Sequence, residues 1–294
     1  MGDYNINFKK TATTVSMVSI AGNFILSVFK AFCGIFAHSG AMISDAIHSA
    51  SDVFSSIIVI IGVKMSAKGS DAEHPYGHER FECVAAIILS VILLITGLFV
   101  GSEAVQNVIS GNYRELTVPG LLALAGAIIS IITKEAMYRY TIFFAKRYDS
   151  SALMADAWHH RSDAFSSVGA LIGIIGSRLG YPVLDSIASI VICLFIIKAA
   201  YDIFRDAIRK MVDHSCDQET EQALRECVLN QEGVIRIDAL QTRVFGNKIY
   251  ADIEICTDGK LSITEGHKIA ECVHNIIERE FPKIKHIMVH VNPY

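Results

Sequence analysis

The chain has 294 residues, 52% of them hydrophobic, with a mean hydropathy of +0.40 and a formal charge of −4. Such a small charge, with no Lys/Arg-rich stripe, excludes a nucleic-acid partner. Seven scattered cysteines lacking any C-x-x-C pair exclude a disulfide framework or zinc finger and read as reduced thiols.

Six apolar segments come first, at about 14–37, 40–66, 81–109, 117–145, 150–176 and 181–207. Runs such as Val84–Gly101 approach the ~20 apolar residues needed to cross a hydrocarbon core. No small-residue cleavage site follows Lys9 and Lys10, so the first segment is expected to be retained rather than removed as a signal peptide. Lys9, Lys10, Lys64, Lys68, Arg80, Lys146, Arg147, Arg205, Arg209 and Lys210 fall on one side, and only Arg114 and Arg178 on the other. That asymmetry places both termini in the cytoplasm. From about Met211 the composition becomes that of a soluble domain. A helix is expected over 217–231, begun by Asp217 and stopped at Gly233. Strands over 234–245 and 248–257, an amphipathic helix over 264–281 and a strand over Ile284–Val291 complete it. The expected fold is an α-helical membrane protein with six transmembrane helices (1–210), followed by a small α+β domain (211–294) ordered αββαβ.

The second and fifth segments carry an internal repeat. Residues 39–56 read SGAMISDAIHSASDVFSS and residues 150–167 read SSALMADAWHHRSDAFSS, identical at ten of eighteen positions. Corresponding polar interruptions in two membrane segments point to a binding site near the bilayer midplane. His48 and Asp52 are four residues apart, as are His159 and Asp163, so each pair lies on one helix face. Two such helices face to face offer two imidazoles and two carboxylates, a tetrahedral set suited to Zn²⁺ at ~2.0–2.2 Å. Ionisable residues at a helix centre cost roughly 2.5–3.5 kcal/mol each, so these four need a bound dication or protons as partners. Asp45 and Asp156, one turn earlier, either line an exit path, bond a ligand or serve structure. His160, about 100° round the helix from His159, is expected outside the ligand shell.

Other polar residues interrupt the apolar segments. Lys30 and Lys134 read as lysines snorkelling from near helix ends. Asp185 reads as a helix cap or first-turn residue after Pro182, and Asn23 carries no assignment. The connection between the second and third segments contains Asp71, His74 and His78, which can chelate a metal once a turn gathers them. The competing reading is a solvated loop shaped by Pro75 and Gly77.

At these residues the chain resembles the cation diffusion facilitator family over nearly its whole length. The resemblance implies that His48, Asp52, His159 and Asp163 form a transport site, and that Asp71, His74 and His78 match the family's loop site. It also implies a metallochaperone-like cytoplasmic domain with a regulatory site at Asp238, Glu254, His267 and His290, with Asn292 standing where a carboxylate can occur. That set is richer in oxygen donors than the histidine-rich version and is expected to hold zinc less tightly or to bind one ion. Family members with two His and two Asp look like zinc and often cadmium transporters. The resemblance further implies a homodimer and exchange of metal for protons by alternating access. The lack of a long His-rich loop suggests a prokaryotic inner membrane. The alternatives are export of manganese, iron(II) or cobalt, and a non-transporting metal-sensing or scaffold subunit. A channel lacks the carbonyl-lined filter it would need. An enzyme is disfavoured because a closed tetrahedral shell leaves no position for water.

Overall fold

A computed structural model describes the backbone of residues 2–36, 40–111, 121–178 and 183–294. Within those spans side chains are described except at 2–7, 33–34, 40–48, 51, 100, 121–124, 127, 166, 170, 173–178, 183–186 and 188–189. The chain divides into two compact units, residues 6–207 and residues from 208 onward.

The first unit is built from six long helices: α1 (Gly2–Phe36), α2 (Gly40–Ser66), α3 (Arg80–Ser110), α4 (Leu121–Tyr148), α5 (Ser151–Arg178) and α6 (Val183–Met211). Five coincide with expected apolar segments within about four residues, and α1 begins at Gly2, twelve residues before the expected start at 14. Among the described residues, Phe8–Phe32 and Arg80–Ser110 are long and apolar enough by composition to cross a bilayer, with mean hydropathies of 1.6 and 2.9. The side-chain distribution inverts that of a water-soluble bundle. Phe24, Phe32, Ile95, Phe99, Leu194 and Phe195 are exposed, whereas Ser19, Asn23, Asp52, Lys134, Asp156 and His160 are buried. Apolar outside and polar inside is the arrangement for a helix bundle solvated by lipid, where ionisable groups face the interior. Small residues let the helices approach. A Cβ on Gly62 of α2 would lie 2.5 Å from the Ala85 Cβ of α3, so only glycine fits there.

In the second unit, α7 (Gln218–Leu229) and α8 (Ile263–Glu280) pack on a three-stranded sheet of β1 (Arg236–Phe245), β2 (Lys248–Thr257) and β3 (Ile284–Pro293). The order αββαβ is the one expected. Asp217 caps α7 by accepting the Thr220 N–H at 2.8 Å. The helix ends at Leu229, two residues short of the expected bound, because Asn230 is its C-cap. α8 opens on a capping box in which Ser262 and Glu265 satisfy each other's backbone N–H. β1 and β2 are antiparallel across a turn whose Gly246 has φ +65°, while β3 lies parallel to β2. Alternation sends Ile249, Ala251, Ile253 and Ile255 of β2 into the core with Leu224, Val228, Val273 and Ile277 of the helices.

Candidate metal site

The helical repeat brings its donors together. On α2, the Asp52 side chain is buried. On α5, His159 and Asp163 are buried one turn apart. One donor atom from each of Asp52, His159 and Asp163 lies within 4.8 Å of the others. The His159 Nε2 stands 3.4 Å from the Asp52 Oδ1 and makes no hydrogen bond among the described residues. A tetrahedral ion with ligands at about 2.1 Å sets neighbouring donors about 3.4 Å apart, so this edge already has the spacing of a coordination shell. The side chains of His48 and Asp45 lie outside the described residues; the α2 backbone carries His48 one turn before Asp52.

Lys134 corrects the sequence reading. It does not snorkel: the residue is 1% exposed, and its ammonium donates to the Asp52 Oδ2 at 2.5 Å, the Asp163 Oδ2 at 2.7 Å and the Asn23 Oδ1 at 2.9 Å. Lys30 does not snorkel either; it is buried and donates to the Ser49 Oγ at 2.9 Å. Both lie in apolar stretches, where position along the helix suggested an end, but their sequence neighbours could not show that a polar partner waits on another helix. Asn23, unassigned from sequence, holds the third proton of the Lys134 ammonium.

His160 and Asp156 form a separate buried pair. The His160 Nε2 lies 3.0 Å from the Ser19 Oγ and 3.6 Å from the Asp156 Oδ2, and the Ser56 Oγ donates to the Asp156 Oδ1 at 3.4 Å. Neither residue belongs to the Asp52–His159–Asp163 cluster. Arg161, which sequence reasoning passed over, stacks its guanidinium 4.3 Å from the Tyr138 ring centre, beside Trp158 and Phe165. Asp185 lies outside the described side chains.

The connection between α2 and α3 gathers Asp71, His74 and His78 into a second group with donor atoms within 4.8 Å. The Asp71 carboxylate accepts backbone N–H groups of Glu73 and His74, folding the turn that brings the imidazoles together. The Nδ1 of His74 and the Nε2 of His78 each lie 3.5 Å from Asp71 oxygens, and the two rings are 4.3 Å apart. The Lys68 ammonium hydrogen-bonded to Asp71 at 2.6 Å holds its carboxyl well below the usual carboxylate range, with the His74 N–H as the next cause.

The cytoplasmic set does not converge within the chain. Glu254 and His290 are paired neighbours on β2 and β3, on the sheet face away from the helices. The amide of Asn292 donates to the Asp238 Oδ2 at 3.1 Å and the Glu254 Oε2 at 3.3 Å, so an amide nitrogen stands between the two carboxylates. Arg236 occupies the other Asp238 oxygen at 2.6 Å and, more than Asn292, holds that carboxyl below its ordinary range. His267 is on α8, which packs on the opposite face, and lines an open pocket of about 320 Å³ with Ser262 and Val291. Strand alternation, which the sequence shows, separates these residues only once the helices choose a face.

Comparison with known proteins decides the family. The profile described as cation efflux transmembrane domain matches residues 16–212, and that of the cation efflux protein cytoplasmic domain matches residues 216–294. The chain belongs to the cation diffusion facilitator family. It is similar to the manganese efflux system protein MneP of Bacillus subtilis, 33% identical over 287 residues covering 95% of each chain. An uncharacterized transporter of Methanocaldococcus jannaschii is 36% identical over 276 residues, 94% of this chain and 96% of that one. The magnetosome protein MamB of Magnetospira is 30% identical over 91% of this chain and 90% of its own length. A solved structure of the MamM CTD, 21% identical, covers 26% of this chain and 92% of its own, with a TM-score of 0.26. The protein is thus an integral membrane protein of a metal efflux family, which is a family of transporters and not of enzymes. The metal is its cargo.

Proposed function

We propose that the protein exports a divalent metal ion, zinc before cadmium, in exchange for protons by alternating access. His48, Asp52, His159 and Asp163 are the ligands in this reading. The observation that carries it is the convergence of Asp52, His159 and Asp163 donors within 4.8 Å in the buried interior of the bundle. Two imidazoles and two carboxylates favour a tetrahedral, borderline-soft ion over an octahedral, oxygen-seeking one. Ligands must be deprotonated to bind, so metal loading releases protons and protonation expels metal. Histidine, whose unperturbed value is ~6.5, is the group best suited to that switch.

The same proposal includes a homodimer, both termini in the cytoplasm of a prokaryotic inner membrane, and a division into residues 1–210 for transport and 211–294 for regulation. Asp71, His74 and His78 serve as an entry-side loop site. Asp238, Glu254, His267 and His290 act as a weak cytoplasmic site whose occupation would require Asn292 and Arg236 to yield the carboxylates. A second reading is manganese export, supported by the names of MneP and of MneS, a Bacillus subtilis relative 32% identical over 285 residues. Flux of Zn²⁺, Cd²⁺, Mn²⁺, Fe²⁺ and Co²⁺ into proteoliposomes, with and without a pH gradient, tests both. Zinc flux that follows the gradient and vanishes in Asp52→Ala supports the first reading; manganese flux with zinc excluded overturns it for the second.

A further inference from the structure

The ammonium of Lys134 sits between the carboxylates of Asp52 and Asp163. We infer that Lys134 is a tethered cation that occupies the metal position between Asp52 and Asp163 in the empty site and must withdraw for metal to bind. This rests on the proposed reading of Asp52 and Asp163 as ligands. The Nζ lies 2.5 Å from one carboxylate and 2.7 Å from the other, only a few tenths of an ångström longer than ~2.0–2.2 Å metal–oxygen bonds. An ion held by the same two carboxylates would meet the ammonium at like-charge contact distance, so metal and ammonium compete for Asp52 and Asp163.

The ammonium is fully provided for there. It has three N–H donors, and Asp52 on α2, Asp163 on α5 and Asn23 on α1 accept all three. Three acceptors from three helices, around a side chain rooted on a fourth, make a built position for a cation. A lysine that merely escaped the bilayer would point to water, whereas this one is buried at 1% exposure. Lys134 also lies outside the duplicated motif, so each copy of the repeat contributes a carboxylate and the ammonium between them comes from a separate helix.

Two consequences follow for the exchange cycle. The empty site never presents two bare carboxylates to the low-dielectric interior, because the lysine fills it. Metal affinity is then the intrinsic affinity of the ligands reduced by competition with the ammonium. A flexible four-carbon stem lets the charge swing aside without moving α4, and Asn23 remains as its partner when the carboxylates turn to metal. On release the ammonium returns and opposes rebinding. Lys134 thereby acts as a positioning residue that sets affinity and release.

The test is calorimetric titration of Zn²⁺ into the purified full chain, alongside zinc flux in proteoliposomes, for wild type, Lys134→Gln, Lys134→Arg and Asp163→Asn. Lys134→Gln removes the rival, so Kd and KM should fall at least tenfold while turnover also falls, because release is slowed. Lys134→Arg keeps the charge and clamps both carboxylates with a planar fork, so Kd should rise at least tenfold. A purely structural lysine would give a less stable Lys134→Gln protein whose Kd is unchanged or weaker, and that result overturns the inference. If Lys134→Gln does not fold, Lys134→Arg decides, and an unchanged or tighter Kd there refutes it. Asp163→Asn separates the two levels. Undiminished zinc flux in that variant removes the ligand reading itself, whereas lost flux without tightening in Lys134→Gln removes the lysine inference alone.

Discussion

Removing one carboxylate from the Lys134 cluster and removing both should have unequal costs. Asp52 and Asp163 place oxygens within 4.8 Å of each other, which at an effective dielectric of about 20 is a repulsion of about 3.5 kcal/mol. The ammonium offsets it by touching both. Asp163→Asn therefore discards an attraction, a repulsion and the desolvation of one buried ion together, leaving Lys134 paired one-to-one with Asp52. Each single variant, Asp52→Asn or Asp163→Asn, is expected to change stability by no more than about 1.5 kcal/mol. The double variant strands the ammonium with amide partners only, and an uncompensated buried charge costs about 3–5 kcal/mol. The assay is reversible unfolding of the metal-free full chain in mixed micelles at constant pH, with a double-mutant cycle across the two positions. Single variants that each lose 3–5 kcal/mol, with a double variant equal to their sum, would refute the charge accounting; so would a double variant as stable as wild type.

Three further outcomes are expected. Gly62→Ala should part α2 from α3 and cost about 1–3 kcal/mol, with Ala85→Gly restoring stability in the same unfolding assay, since the added Cβ meets that of Ala85 at 2.5 Å. Asp217→Ala should loosen the first turn of α7 by about 1 kcal/mol, read by hydrogen exchange at Thr220. The Thr220 N–H holds the Asp217 carboxyl below its ordinary range, so the cap's contribution is complete above the unfolded value of ~3.9 and is lost as pH falls through the lower folded one; protection that instead declined on raising pH above 5 would contradict this. His160→Asn should lower stability by about 1–3 kcal/mol through the Ser19 contact while leaving zinc Kd within about twofold, whereas His159→Ala should weaken zinc binding at least tenfold, both by titration calorimetry.

The sequence by itself determined the number and order of the elements. Hydrophobic runs too long for water-soluble helices set α1 to α6, and period-two alternation at Ile249, Ala251, Ile253 and Ile255 set β2 and its buried face. Caps written locally, such as Asp217 and the Ser262–Glu265 box, fixed where α7 and α8 begin, because a cap needs only residues three apart. The repeated His-x-x-x-Asp spacing likewise exposed Asp52, His159 and Asp163, since an i, i+4 pair is a property of one helix. What only the tertiary structure decided are the meetings between helices. Lys134 reads as an isolated charge in an apolar run, and its three acceptors come from α1, α2 and α5, at separations no local pattern reports. The same holds for the cytoplasmic residues. Glu254, His290 and His267 look alike as donors in sequence, and the packing of α8 on one face of the sheet is what divides them. Local spacing records what one element presents; which charge balances which depends on the neighbour that packing brings, and burial then makes that choice costly to alter.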